Sequence, residues 1–149
     1  VLDGANGKVA LSSLPRNLEF DGTVEISSGT PADSASALTV VGGTTTLTAS
    51  RVNIENKTFT INVKGGLLET KSGDIYTGHQ GGQMRTYNIS GGKFACLLTV
   101  PNKNAYLRNT VNVSGGEFAP KGIKYSNGGE GGEENERWVF HGGLPEADG

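Results

Sequence analysis

The hydrophobic residues of this chain fall into short runs that alternate with polar residues and end close to glycine. The main runs contain Thr, Val, Ile and aromatic residues, and they lie at 37–41 (ALTVV), 58–63 (TFTINV), 85–89 (RTYNI), 110–113 (TVNV) and 137–140 (RWVF). This composition, with period-two alternation in several runs, is typical of β-strands. Further strand-like runs lie at 45–49, 51–56 and 94–100. The pattern therefore predicts an all-β chain of many short strands.

A glycine pair follows each of the main runs, and these pairs give the chain an internal repeat. The first glycines stand at 42, 65, 91, 115 and 142, so the spacings are 23, 26, 24 and 27 residues. A period that varies by a few residues suits a solenoid whose loops differ in length, and it does not suit a helical repeat. We expect about five coils of a short parallel β-helix, stacked ~4.8 Å apart, with the glycine pairs aligned along one edge. A β-sandwich or jelly roll is the main alternative, since it also combines short strands with glycine-rich turns.

Stacked repeats would bring equivalent side chains on top of one another. The polar residues three positions before each first glycine are Thr39, Asn62, Asn88 and Asn112. We expect them to form an internal structural ladder whose side chains hydrogen-bond along the solenoid axis. The apolar residues that follow the glycines are expected to stack as a core column, namely Leu67, Phe94 and Phe118.

Composition and charge narrow the function classes. Apolar residues make up 34% and charged residues 19% of the chain, while 24 of 149 residues are glycine, which favours a turn-rich ordered domain because the apolar residues are clustered. The formal net charge of −2 provides no basic field, so we expect neither a nucleic-acid nor a membrane partner. Cys96 is the single cysteine, so no disulfide framework or cysteine zinc site is expected, and a buried thiol is predicted.

One repeated pattern is clearest in NISGGKF at 88–94 and NVSGGEF at 112–118. In this pattern Asn or Thr is followed by Val or Ile, any residue, two glycines, any residue and Phe. It resembles the right-handed parallel β-helix superfamily, which includes pectate lyases, bacterial surface adhesins and bacteriophage tailspikes. The resemblance covers about residues 36–145 and implies a right-handed solenoid. It implies no single activity, since the superfamily contains enzymes as well as fibres. We accordingly divide the chain into cap or linker strands at 1–35, the repeat domain at 36–145 and a tail at 146–149.

Candidate catalytic residues are few. Glycosidases on such scaffolds need two carboxylates on one face, whereas the repeat alignment sets Glu69 against Cys96 and Lys93 against Glu117. The polar segment 72–85 supplies weak catalytic candidates, Asp74 and His79, and His141 is interpreted as a strand-end residue. No cofactor or metal is expected, because the acidic segment 126–137 lacks the ligand spacing of a calcium loop.

Two polar segments are instead expected to be contact loops between proteins or with a glycan. Their candidate residues are Asp74, Tyr76 and Arg85 in the first, with Glu130, Glu133 and Glu134 in the second. The resulting hypothesis is a non-catalytic structural module of a virion, such as a tailspike, fibre or capsid-decorating protein. It would act as a homo-oligomer of three chains or together with other virion or cell-surface proteins. The alternative is a carbohydrate-active enzyme or polysaccharide-binding domain of pectate-lyase type.

Overall fold

The computed structural model describes residues 2–12, 17–29, 35–54, 58–76, 84–100, 108–125 and 137–141. Within these ranges every assigned element is a β-strand and every strand pair is parallel. Two long strands come first, β1 (Leu2–Leu11) and β2 (Asn17–Ile26). A jelly roll is built from antiparallel strands, so the parallel pairing confirms the solenoid and excludes the sandwich.

Each complete coil contributes one strand to each of three faces. The first face contains β3 (Ala35–Val40), β6 (Thr58–Val63), β9 (Met84–Ile89), β12 (Arg108–Val113) and β15 (Arg137–His141). The second contains β4 (Thr44–Leu47), β7 (Leu67–Thr70), β10 (Lys93–Ala95) and β13 (Glu117–Phe118). The third contains β5 (Arg51–Asn53), β8 (Asp74–Tyr76), β11 (Leu97–Val100) and β14 (Gly122–Tyr125).

The number of complete coils differs slightly from the expectation of about five. Four coils supply a strand to all three faces, so three turns separate β3 from β12. The solenoid also extends in the N-terminal direction, because β2 pairs with β3 through its first half and with β4 through its second half. β1 pairs with β2 in the same parallel sense. The strands before residue 36 thus continue the ladders of the first two faces.

The corner between the first and second faces is made by stacked glycines. Gly43, Gly66 and Gly92 adopt positive φ angles of 66°, 74° and 66°, a region that glycine enters without a steric cost. A Cβ on Gly66 would overlap the backbone of Gly43, and one on Gly92 would overlap that of Gly66. Four predicted pairs align at this corner, and the fifth, at 142–143, lies outside the described residues.

The core follows from period-two alternation within each strand. In β6, Phe59, Ile61 and Val63 point inward and are at most 3% exposed, while Thr60 and Asn62 point outward. Successive coils align the inward residues into columns such as Val40, Val63, Ile89 and Val113. These columns supply the hydrophobic contacts that hold the coils together.

The apolar column of the second face differs by one residue from its prediction. Leu68, which is fully buried, stands in register with Phe94 and Phe118, whereas Leu67 is aligned with Lys93 and is partly exposed. The difference arises because Phe94 and Phe118 lie three positions after their first glycines, as Leu68 does. Since side chains alternate between the two sides of a strand, Leu67 must point outward.

Candidate functional site

Asp74 lies in a polar cluster on the third face. It is the first residue of β8 and stands in register with Arg51 on the neighbouring strand β5. Arg51 donates from Nε to Asp74 Oδ1 at 2.8 Å and from a terminal nitrogen to Oδ2 at 2.7 Å. The Thr99 hydroxyl donates to Oδ2 at 2.6 Å. One carboxylate therefore links strands from three successive coils, with the bidentate geometry of strong ion pairs.

These contacts keep the Asp74 carboxylate ionised. Burial alone would raise the pKa of Asp74, but the hydrogen bonds from Arg51 and Thr99, with the charges of Arg51 and Lys124, outweigh it and hold the pKa below its ordinary value. The hydrogen bond to Asp74 also raises the pKa of Arg51. A general acid needs a pKa near the working pH, so this arrangement suits structural cross-linking better than proton donation.

Replacing Asp74 with asparagine should lower the free energy of unfolding at neutral pH by about 2 kcal/mol, because charge-assisted hydrogen bonds are lost. A carboxylate whose pKa is lower in the folded state stabilises the fold above its unfolded-state pKa of about 3.9. That contribution disappears as the pH falls through the folded-state value. The gap between wild type and Asp74→Asn, measured by urea denaturation, should therefore narrow in acid.

The exposed Glu117→Gln variant is the control for the loss of one carboxylate. It should change stability little at any pH. A gap for Asp74→Asn that stayed constant or widened towards acid would contradict the assignment of the ion pair.

The other predicted site residues lie in different surroundings. Tyr76 lies beside the cluster, and its ring is covered by the Arg51 guanidinium at 4.5 Å from the ring centroid. Arg85, grouped with the contact loop from sequence, belongs to β9 and is only 1% exposed; it donates to the Ile54 carbonyl at 3.1 Å. It stands at an inward position of the strand, two residues before the inward Tyr87. The assignment of Arg85 to a contact loop overlooked this alternation. His79, Glu130, Glu133 and Glu134 lie outside the described residues.

The polar ladder is present on the first face, in strict register. Asn62 donates through Nδ2 to Thr39 Oγ1 at 3.1 Å, and Asn88 donates to Asn62 Oδ1 at 3.0 Å. Asn112 donates to Asn88 Oδ1 at 2.8 Å. The ladder lies on the outward side of the sheet, not inside the core as expected. Its position follows from alternation, because Asn88 stands between the inward-pointing residues Tyr87 and Ile89.

The end of the ladder also differs from the repeat alignment. Counting from the glycine pairs would place Val139 opposite Asn112, but the structure pairs Asn112 with His141 and Thr110 with Val139. His141 is exposed at the last position of β15. The final repeat is therefore shifted by two residues relative to its glycines.

Replacing Asn88 with leucine should lower the free energy of unfolding by about 1–2 kcal/mol relative to Glu117→Gln, because two cross-coil hydrogen bonds are lost at a half-buried position. Thermal melting of both purified variants provides the measurement. Equal melting temperatures would show that the ladder adds no net stability.

The remaining residues considered for catalysis either make structural contacts or lie apart from one another. Lys93 pairs in register with Glu117 as the alignment predicted, but Glu69 lies against Ala95 instead of Cys96. Glu69 accepts a hydrogen bond from Thr46 at 3.2 Å. Cys96 is fully buried, as predicted, and burial raises the pKa of its thiol. No carboxylate pair for glycoside hydrolysis is brought together by these contacts.

The described ranges contain no group of three His, Cys, Asp or Glu side chains placed to hold a metal ion. They also contain no helix with the length and hydropathy needed to cross a membrane.

Comparison with known proteins leaves the fold as the basis for any functional argument. No family model, curated protein or solved structure matches the chain.

Proposed function

We propose that this chain is a non-catalytic structural module of a virion or a comparable cell-surface assembly. In this proposal the solenoid acts as a rigid element of a homo-oligomer, with three chains as the expected number. It contributes to assembly or to attachment at a host surface.

The observation that carries the proposal is that polar side chains form hydrogen bonds between neighbouring coils. Asp74, the leading catalytic candidate, is bound by Arg51 and Thr99 from the coils on either side. The Thr39 to Asn112 ladder and the Thr46–Glu69 bond likewise join neighbouring coils. Polar groups that would perform chemistry in an enzyme are here engaged in holding the stack rigid.

The oligomer is supported by the strand edges at the two ends of the described stack. In the described residues, β1 pairs with β2 alone and β15 pairs with β12 alone. Such edges carry backbone donors and acceptors on one side, and proteins generally cover them with further chain or with a partner. A second copy of the chain, or another protein of the assembly, would fulfil that role.

Solution mass and polysaccharide cleavage test this proposal together. Light scattering after size-exclusion chromatography should give about three times the chain mass of 15.5 kDa, and a reducing-sugar assay over a polysaccharide panel should detect no release. A deletion of residues 128–134, the proposed contact segment, should keep the melting temperature and weaken association. A monomer at high concentration that cleaves a polysaccharide, with cleavage lost in Asp74→Asn, would overturn the proposal.

A further inference from the structure

The outward side of the first face carries two straight columns of small, uncharged side chains. The first column contains Thr39, Asn62, Asn88 and Asn112, and the second contains Ala37, Thr60, Thr86 and Thr110. Beyond these four strands the two registers continue into His141 and Val139 of β15. Three successive strands therefore present the same Thr-x-Asn pattern, at 60–62, 86–88 and 110–112. The strand pairs match residue for residue across this region, so equivalent side chains are aligned along the solenoid axis.

The spacing of these side chains is regular in two directions. Neighbouring strands lie ~4.8 Å apart, and outward positions along one strand repeat every ~6.6 Å. The threonines are stiff at χ1 because they are β-branched. The asparagines are fixed by the ladder, in which Asn88 donates at 3.0 Å and accepts at 2.8 Å. The columns thus form a preorganised lattice of hydroxyl and amide groups.

We propose that this lattice binds ice, an activity beyond the structural role proposed above. An ice surface presents oxygen atoms with hydrogen-bond donors and acceptors that are periodic in two dimensions, and the coil repeat is close to one of its oxygen spacings. Each threonine offers a hydroxyl beside a methyl group. Asn62 and Asn88 each donate one and accept one ladder bond, so each keeps one amide hydrogen and one oxygen lone pair for water.

Many weak contacts must form together for such binding. A single exposed hydrogen bond to water gains little, because it replaces an equivalent one. Side chains already held in position lose little entropy on binding, so a rigid lattice that matches the ice surface can sum many small gains.

The composition of the columns favours ordered water over a protein partner. The centres of protein interfaces are enriched in aromatic residues, Met and Arg, and the two columns contain none of these. They also contain no charged residue, whereas an ammonium group would retain its own strongly bound water. The Lys64–Glu19 pair, with 3.5 Å between nitrogen and oxygen, lies beside Thr39, which is 8% exposed, and limits the lattice at that end.

Partition into slowly growing ice tests the proposal with the full chain. Wild-type protein should be enriched in the ice fraction over serum albumin, and it should slow recrystallisation of a polycrystalline ice film. Thr86→Tyr places a large ring in the centre of the lattice and should abolish both effects. Thr44→Tyr is the matched control, because Thr44 is a half-buried outward residue of the second face.

Melting temperatures establish whether the variants are folded. If Thr86→Tyr does not fold, Thr110→Tyr takes its place in the experiment. Aromatic residues are well tolerated in strands, so both tyrosine variants should keep the fold. Exclusion of the wild-type chain from ice to the same degree as albumin would overturn the proposal. Equal activity of the lattice and Thr44 variants would also overturn it.

Discussion

Replacing Gly66 with alanine should lower the free energy of unfolding by about 3 kcal/mol or more, which places it among the most damaging single changes. Gly66 has a φ of 74°, where a side chain carries a steric cost of its own. The added Cβ would also overlap the backbone of Gly42 and Gly43 in the preceding coil. Neither coil can move away without breaking the strand pairing on both sides of the corner. Urea denaturation followed by far-ultraviolet circular dichroism measures the loss.

Gly122→Ala is the control for this prediction. A Cβ at Gly122 would meet one methyl group of Leu97 at 3.2 Å, and a side-chain end can shift where a backbone cannot. The control should lose far less stability than Gly66→Ala. Similar small losses for both variants would show that the glycine corner does not stack as described.

Replacing Phe94 with alanine should cost about 3–5 kcal/mol, the range for deleting a large buried ring. Phe94 is fully buried and stacks on Phe118 with ring centroids 5.0 Å apart and an angle of 15° between planes. It also meets Tyr87 edge to face at 5.5 Å. The cavity would lie between two neighbouring faces, where rigid coils limit collapse. Chemical denaturation of the purified variant measures the cost.

Phe118→Ala provides a matched comparison, since the same ring is removed from a partly exposed position in the same column. It should cost clearly less than Phe94→Ala, because less apolar surface returns to water. A larger loss for Phe118 than for Phe94 would contradict the order of burial in this column.

The repeat made the first face predictable from sequence. Runs such as TFTINV combine inward apolar residues with a glycine pair at a fixed distance, so both the strand and its register could be inferred. β6 and β9 consequently match their predicted runs closely. The fold class followed, because parallel stacking is the arrangement in which such a repeat aligns its glycines.

Elements without that signal were predicted less completely. β8 (Asp74–Tyr76) is too short to show a period, so its residues were interpreted as part of a loop. β2 lies among the strands predicted at 1–35, but its place in the ladders could not be inferred, because its corner contains Asp21 and Gly22 instead of two glycines. Pairing with the next coil determines both strands, and an isolated segment carries little trace of it.

The orientation of side chains was harder to infer than the existence of strands. Asn88 was expected inside, although its neighbours Tyr87 and Ile89 are the residues that fill the core. Strict alternation along β9 would have placed the asparagine outward, and the Thr-x-Asn lattice could then have been predicted. Arg85 was the opposite case, since its charge suggested an exposed contact while its position on the strand makes it inward. Local alternation was the better guide in both cases.

Cross-linking of paired cysteines tests the central claim, that residues one repeat apart lie on top of one another. Thr60 and Thr86 are direct neighbours on the first face, while Thr60 and Thr110 are separated by one further coil. Cα atoms in disulfides lie about 4.4–6.8 Å apart, which fits one coil spacing of ~4.8 Å and not two. Cys96 is fully buried and should not interfere. Mild oxidation should close the Thr60→Cys/Thr86→Cys disulfide within the folded monomer unit and leave Thr60→Cys/Thr110→Cys reduced. Failure of the first pair, or equal closure of both, would contradict the stacked solenoid.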